Sequence, residues 1–206
     1  MGQILSNGVR SVGSALGAST YISKSKENAV HALGGHRFYL LNDVVMGGRS
    51  LSSLQSLPGD GLLFSGTIDT NGGGFASFRS DPEEKPISIP QGASCMVLRV
   101  TGDGKQYKVT LSNGKGGGPF ATSPVYAHDL WTKAGQEQEL SFPLSDFKAS
   151  FGGRLGKDQT PLVPSDIVQA GVMLSLYDAS CEANPTFKEA EATFGFKLEV
   201  KSLGFA

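Results

Sequence analysis

Neither sign of charge prevails in this sequence: 18 Lys and Arg stand against 19 Asp and Glu, for a net charge of −1. Phosphate recognition needs a concentrated basic face, so this balance speaks against a nucleic-acid partner. Long hydrophobic runs are missing as well. No stretch approaches the roughly 18 apolar residues that span a bilayer, and the chain reads as soluble. Histidine is limited to His31, His36 and His128, and cysteine to Cys95 and Cys181. None of these stands at metal-ligand spacing to another, so no metal site and no cofactor is expected. His31 and His36 fall in a segment that reads as linker. Cys95 adjoins the apolar run Met96-Val97-Leu98 and reads as a buried free thiol, with a disulfide to Cys181 left open.

Glycine is abundant instead, at 28 of 206 residues, and much of it is clustered. Gly72-Gly73-Gly74, Gly116-Gly117-Gly118 and Gly152-Gly153 lie between apolar runs, where turns and bulges form. Phe38–Leu41, Leu62–Ile68, Phe75–Arg79, Gln138–Phe142, Ala170–Leu176 and Phe194–Val200 read as strands, the last with alternating polarity. Pro58-Gly59-Asp60-Gly61 is a turn. Met96–Val100 and Tyr107–Leu111, separated by Gly102-Asp103-Gly104, predict a hairpin. Ser145–Lys148 and Pro164–Ile167 predict single helical turns with Ser or Asp available as caps. Seven to ten short strands without amphipathic helices predict an all-β sandwich or jelly roll. A sheet protein of this length is one domain, here residues 31–206 behind a 1–30 extension.

Catalytic signatures are absent or broken. There is no G-x-S-x-G, and Gly102-Asp103-Gly104 does not continue as a dinucleotide fingerprint. Asn113-Gly114-Lys115 imitates a P-loop fragment, yet Gly116 stands where Ser or Thr would meet magnesium. Asp43, Asp103, Asp129 and Asp178 fall near strand ends and keep an Asp-dependent hydrolase open as a minor reading.

The extension carries no Asp or Glu from Met1 to Lys26, and its only charges are Arg10, Lys24 and Lys26. Such an acid-poor, Ser-rich start fits an organelle transit peptide. Met1-Gly2-Gln3-Ile4-Leu5-Ser6 equally matches the N-myristoylation pattern at Gly2, which would give peripheral membrane contact.

One ordered set of motifs stands apart. Asn42-Asp43-Val44-Val45-Met46-Gly47-Gly48-Arg49-Ser50 is followed by Phe64-Ser65-Gly66-Thr67 and by Asn71-Gly72-Gly73-Gly74-Phe75-Ala76-Ser77-Phe78-Arg79. Then come Leu98-Arg99-Val100-Thr101-Gly102-Asp103-Gly104-Lys105-Gln106-Tyr107, Pro143–Phe147, Phe151–Arg154 and Gly195–Val200. From Phe38 to Leu203 the chain thereby resembles the complex I intermediate-associated protein 30 (CIA30) family. The resemblance implies a galactose-binding-domain-like β-sandwich and a non-enzymatic assembly factor of respiratory complex I. Its partners would be subunits or other assembly factors of a membrane complex, and its location mitochondrial. A cytoplasmic, membrane-attached protein acylated at Gly2 is the alternative.

Within those motifs Asp43, Met46, Arg49, Ser50, Arg79, Arg99, Asp103 and Tyr107 are the candidates for a partner surface built from loops at one edge of the sandwich. Asp43 is expected to accept backbone N–H bonds inside its own loop. Arg79 and Arg99 are expected at strand ends, paired with Asp43 or Asp103 or offered to a partner carboxylate. Such pairing would make replacement of either arginine by Ala costly to folding. Phe75, Phe78, Tyr107 and Trp131 read as core. With so little exposed aromatic material expected, a carbohydrate-binding module is the secondary reading.

Overall fold

The structure is a computed structural model, and it describes residues 26, 29–115, 123–151, 154–156, 159–187 and 192–206. Gly2, the targeting readings, Gly116-Gly117-Gly118 and Gly152-Gly153 lie outside the described residues.

The strands are β1 (Val30–Ala32), β2 (His36–Asn42), β3 (Leu51–Leu57), β4 (Gly61–Asp69) and β5 (Phe75–Ser80). They continue as β6 (Cys95–Thr101), β7 (Gln106–Ser112), β8 (Val125–Trp131) and β9 (Glu137–Pro143). Last come β10 (Lys148–Phe151), β11 (Arg154–Leu155), β12 (Gln169–Ser175) and β13 (Thr193–Phe205). Two antiparallel sheets result: a larger one in the order β1-β2-β5-β12-β7-β8-β10-β11 and a smaller one in the order β3-β4-β13-β6-β9. The chain is an all-β sandwich.

Side-chain alternation explains why the sheets stack. From the smaller sheet, Leu62, Phe64, Ile68, Leu98, Val100, Leu198 and Val200 point inward and are fully buried. From the larger sheet, Phe38, Phe78, Tyr107, Val109, Leu111, Leu130 and Leu174 meet them. Four phenylalanines run through the middle of this core. Phe38 meets Phe78 edge-on at 5.6 Å, Phe78 meets Phe64 at 5.2 Å, and Phe64 meets Phe196 at 4.8 Å. Phe78 to Phe64 is the step that crosses from one sheet to the other. Such tilted and T-shaped contacts match the positive edge of one ring to the negative face of the next.

Several expectations are corrected. The segments β6 and β7 are not a hairpin: β6 pairs β13 and β9 in the smaller sheet, whereas β7 pairs β12 and β8 in the larger. Both strands present an apolar face, and those faces oppose one another across the core, so the glycine-rich link is a crossover between sheets. His31 and His36 are not linker residues but lie in β1 and β2. The helical turns are 3₁₀ turns at Leu144–Asp146 and Pro164–Asp166, and neither has a side-chain cap. Cys95 is half-buried rather than buried.

Phe64→Ala removes the ring that links the sheets. It is expected to cost about 3–5 kcal/mol, measured by urea unfolding at an unchanged m value.

Candidate functional site

Chain direction brings the three motif loops to one end of the sandwich. The strand β2 ends there at Asn42, β5 begins there at Phe75, and β12 ends there at Ser175 beside the start of β7. After Asn42 the chain turns through a 3₁₀ turn at Asp43–Met46, closed by Gly47 in the left-handed region at φ 90°. Asp43 is fully buried beneath this turn. Its Oδ1 accepts from Ser50 N at 3.0 Å. Its Oδ2 accepts from Ser50 Oγ at 2.6 Å, Gly74 N at 2.6 Å and Phe75 N at 3.3 Å. Ser50 Oγ in turn accepts from Asp69 N at 3.1 Å. A Cβ on Gly48 or Gly73 would overlap the Asp43 side chain, so those two glycines are the space that the carboxylate fills. The D-V-V-M-G-G and N-G-G-G-F motifs are therefore two halves of one buried node.

With the carboxylate turned inward, the turn presents its apolar residues outward: Val44 is exposed and Met46 is 62% exposed, with Arg49 beside them. Asp103 makes the second node. Its carboxylate accepts from Lys105 N at 3.2 Å, Lys105 Nζ at 2.9 Å, Tyr107 Oη at 3.0 Å and Lys197 N at 3.0 Å. Tyr107 belongs to the larger sheet and Lys197 to the smaller, so Asp103 ties the crossover to both. Burial and the neighbouring Asp103 charge push the Tyr107 phenol far above its usual range, which keeps it a proton donor to that carboxylate.

The expected arginine pairings are not formed. Arg99 lies on the solvent face of the smaller sheet, 3.7 Å from Glu137, which also pairs Lys201. Arg79 is in the body of β5, 8% exposed, and makes no ion pair among the described residues. Burial pulls its pKa down from the usual guanidinium range. Asp43 and Asp103 are unavailable to either arginine because backbone N–H and hydroxyl donors already occupy them. The cost expected for losing an Arg79 ion pair therefore has no basis here.

Trp131 corrects another expectation: it is 54% exposed at the end of β8, not core. Phe75 is half-buried, while Phe78 and Tyr107 are fully buried. Tyr177, just past β12, is also exposed. With Val44, Met46 and Leu51 at the start of β3, these aromatics make the signature end the main gathering place of exposed large apolar side chains among the described residues. Sequence inspection missed Val44, Trp131 and Tyr177, because each adjoins buried residues in an apolar stretch. Val44 and Tyr177 lie just past strand ends, and Trp131 closes β8 opposite Gln106 on the face turned away from the core.

The hydrolase carboxylates are likewise occupied. Asp129 accepts from Ala179 N at 2.8 Å, and Asp178 accepts from Ser180 N and Glu182 N at 2.8 and 2.9 Å. Lys115 N donates to Asn113 Oδ1, so the P-loop-like fragment is an Asx turn. Among the described residues no group of three or more His, Cys, Asp or Glu gathers as a metal site would require.

In class the molecule is a galactose-binding-like β-sandwich. The family 11 carbohydrate-binding module of the cellulosomal cellulase Lic26A-Cel5E of Clostridium thermocellum resembles it with TM-score 0.50. Identity is 11% over 82% of this chain and 85% of that one. The Clostridium thermocellum family 11 module bound to a β-1,3-1,4-mixed-linked tetrasaccharide gives 0.49 and 11%, over 82% and 86%. CsCBM6-3 from Clostridium stercorarium bound to cellobiose gives 0.35 and 13%, over 82% and 93%. At 11% identity the first of these speaks for the fold alone. No curated protein matches the sequence. The family described as complex I intermediate-associated protein 30 (CIA30) matches residues 29–200, and the chain belongs to that family.

Asp43→Ala would leave Ser50 N and Gly74 N buried without an acceptor. It is expected to cost roughly 3 kcal/mol or more, read from chemical denaturation. Arg79→Met replaces an unpaired buried cation by an apolar side chain of similar reach and is expected to raise Tm by roughly 2–4 °C, read by calorimetry.

Proposed function

We propose that this chain is a non-enzymatic protein-binding domain acting as an assembly factor or scaffold for respiratory complex I or a related membrane complex. The family match across residues 29–200 carries this reading. The partners would be subunits or fellow assembly factors, and the location mitochondrial, with a Gly2-acylated cytoplasmic form as the alternative. No helix among the described residues is long and apolar enough to cross a membrane.

The surface supports the reading. Asp43, Ser50, Asp103 and Tyr107 build the loops from within, while Val44, Met46 and Arg49 stand outside them and Trp131 and Tyr177 are exposed at the same end of the sandwich. Exposed apolar side chains gathered in one place and rimmed by polar residues are what a contact surface requires. Aromatics, Met and Arg are the types enriched in such interfaces.

The carbohydrate-binding alternative gains one specific observation, the exposure of Trp131 and Tyr177, since sugar rings stack on exposed aromatic faces. A glycan array without signal above background would remove it.

Affinity capture from native cells through a C-terminal tag, with mass spectrometry of partners and mature N-terminus, tests the main reading. Recovery of respiratory-complex subunits with a trimmed N-terminus is expected. An intact acylated Gly2 with unrelated partners would move the function elsewhere. The double variant Val44→Asp with Met46→Asp is expected to keep Tm within about 1 °C. It should lower partner recovery at least about tenfold, since apolar anchors dominate binding energy. Undiminished recovery would show that this end is not the contact surface.

A further inference from the structure

The second face of the larger sheet, turned away from the core, is an unusual place. Register sets Tyr39, Arg79, Gly171, Thr110 and Ala127 in one row across β2, β5, β12, β7 and β8. The next row includes Leu41, Ser77 and Lys108. An outward sheet face is ordinarily wet, as it is on the smaller sheet, where Arg99, Lys197 and Lys201 sit among glutamates. Here Tyr39, Leu41, Ser77, Arg79 and Thr110 are all buried. The row is a buried floor.

Charge accounting on and around that floor singles out one group. Lys26, whose Nζ stands 5.5 Å from the Tyr39 ring centroid, is matched by Asp81 at 3.0 Å and Glu83 at 2.8 Å. Arg37 lies 3.5 Å from both Asp81 and Glu84. Lys108 stands opposite Asp129 in register and donates to the Asp178 carbonyl at 3.4 Å. Arg79 alone on this face has neither an ion pair nor a hydrogen bond among the described residues, and it is the most buried of these cations. An isolated buried guanidinium costs several kcal/mol in desolvation. Nothing in the core benefits from that expense, because Arg79 points away from the core.

The neighbours suit an anion. A Cβ on Gly171 would meet the Phe78 carbonyl oxygen at 2.3 Å and Arg79 Cγ at 3.2 Å, so β5 approaches closely here and the arginine stem lies against the glycine. Beyond it the row holds Thr110, Ala127 and then Lys148 of β10, whose Nζ donates to Ser180 Oγ. Tyr39 Oη accepts from Gln169 Nε2 at 3.1 Å, which leaves its own proton to donate. A planar guanidinium matches carboxylate or phosphate through two parallel N–H bonds.

We propose that this buried face binds a small organic anion, with Arg79 as the bidentate seat for its carboxylate or phosphate and Tyr39 and Thr110 as flanking hydroxyl partners. A free small molecule fits better than a protein surface, because a group 8% exposed is reached by a narrow ligand and not by a flat one. The site lies on the sheet face rather than on the loops at the signature end, and it stands independently of the assembly reading.

The test follows the Arg79 Nε–Hε resonance of the full 15N-labelled chain during titration with inorganic phosphate and with glutarate. Ionic strength is held constant with sodium chloride. The expected result is a saturable shift of Arg79 with a rise in Tm of a few degrees, both abolished in Arg79→Met and retained in Arg99→Met. Thr110→Val is expected to weaken binding about threefold, the loss of one neutral hydrogen bond. No saturable shift, or an equal Tm gain in Arg79→Met, overturns the proposal. So does a cello-oligosaccharide that shifts Arg79 more strongly than either anion. A glutamate-rich peptide binding more than tenfold tighter than glutarate would show a protein side chain as the occupant and overturn the small-molecule assignment. The wild-type resonance itself keeps the test sound whatever the variants do.

Discussion

Everything at the signature end depends on one buried carboxylate. Asp43 gathers donors from the start of the smaller sheet, through Ser50, and from the start of β5 in the larger sheet, through Gly74 and Phe75. Buried backbone N–H groups must be paired, and two separate chain segments meet that demand with a single side chain. The glycines of both motifs are the geometric complement of the same group, because side chains there would occupy its place. Asp103 repeats the arrangement at the crossover from β6 to β7. Two acidic residues thus close the sandwich at one end mainly by accepting hydrogen bonds from backbone N–H and hydroxyl groups, with Lys105 on Asp103 as the one ion pair between them among the described residues.

That arrangement separates structural motif residues from those left for recognition. Of the motif residues, Asp43, Gly48, Ser50, Gly73 and Asp103 are engaged in holding the loops. The exposed side chains lie between or beside them: Val44, Met46, Arg49, Trp131 and Tyr177. Its likeness to carbohydrate-binding modules is a likeness of sandwich architecture, on which unrelated binding functions are placed.

Much of the fold was legible in the sequence, because strands with one dry face alternate visibly and glycine clusters mark the turns. Leu62–Ile68, Phe75–Arg79 and Phe194–Val200 appear close to where they were expected. What misled was pairing. Met96–Val100 and Tyr107–Leu111 carry a turn between them, yet a short link tells nothing about whether two strands share a sheet or face each other across a core. The Ser-rich β3 escaped notice because its neighbours on one face are solvent and its apolar residues are sparse. At the site, Asp43 was legible as a loop acceptor. The positions of Arg79 and Trp131 were not, since the side of a sheet on which a residue falls depends on registers set by distant strands.

The strand β13 has a consequence for the order in which the molecule can be made. It lies between β4 and β6 in the smaller sheet, and Ala206 exchanges hydrogen bonds with Cys95 in both directions. A chain emerging from the ribosome therefore displays β3–β4 and β6 with unfilled edges until β13 arrives, and a polypeptide halted before Phe194 has no way to join them. Until then a nascent copy carries open strand edges and an uncovered apolar sheet, the interval in which a holding chaperone matters most. Within this domain β13 is thus the bolt that locks the smaller sheet.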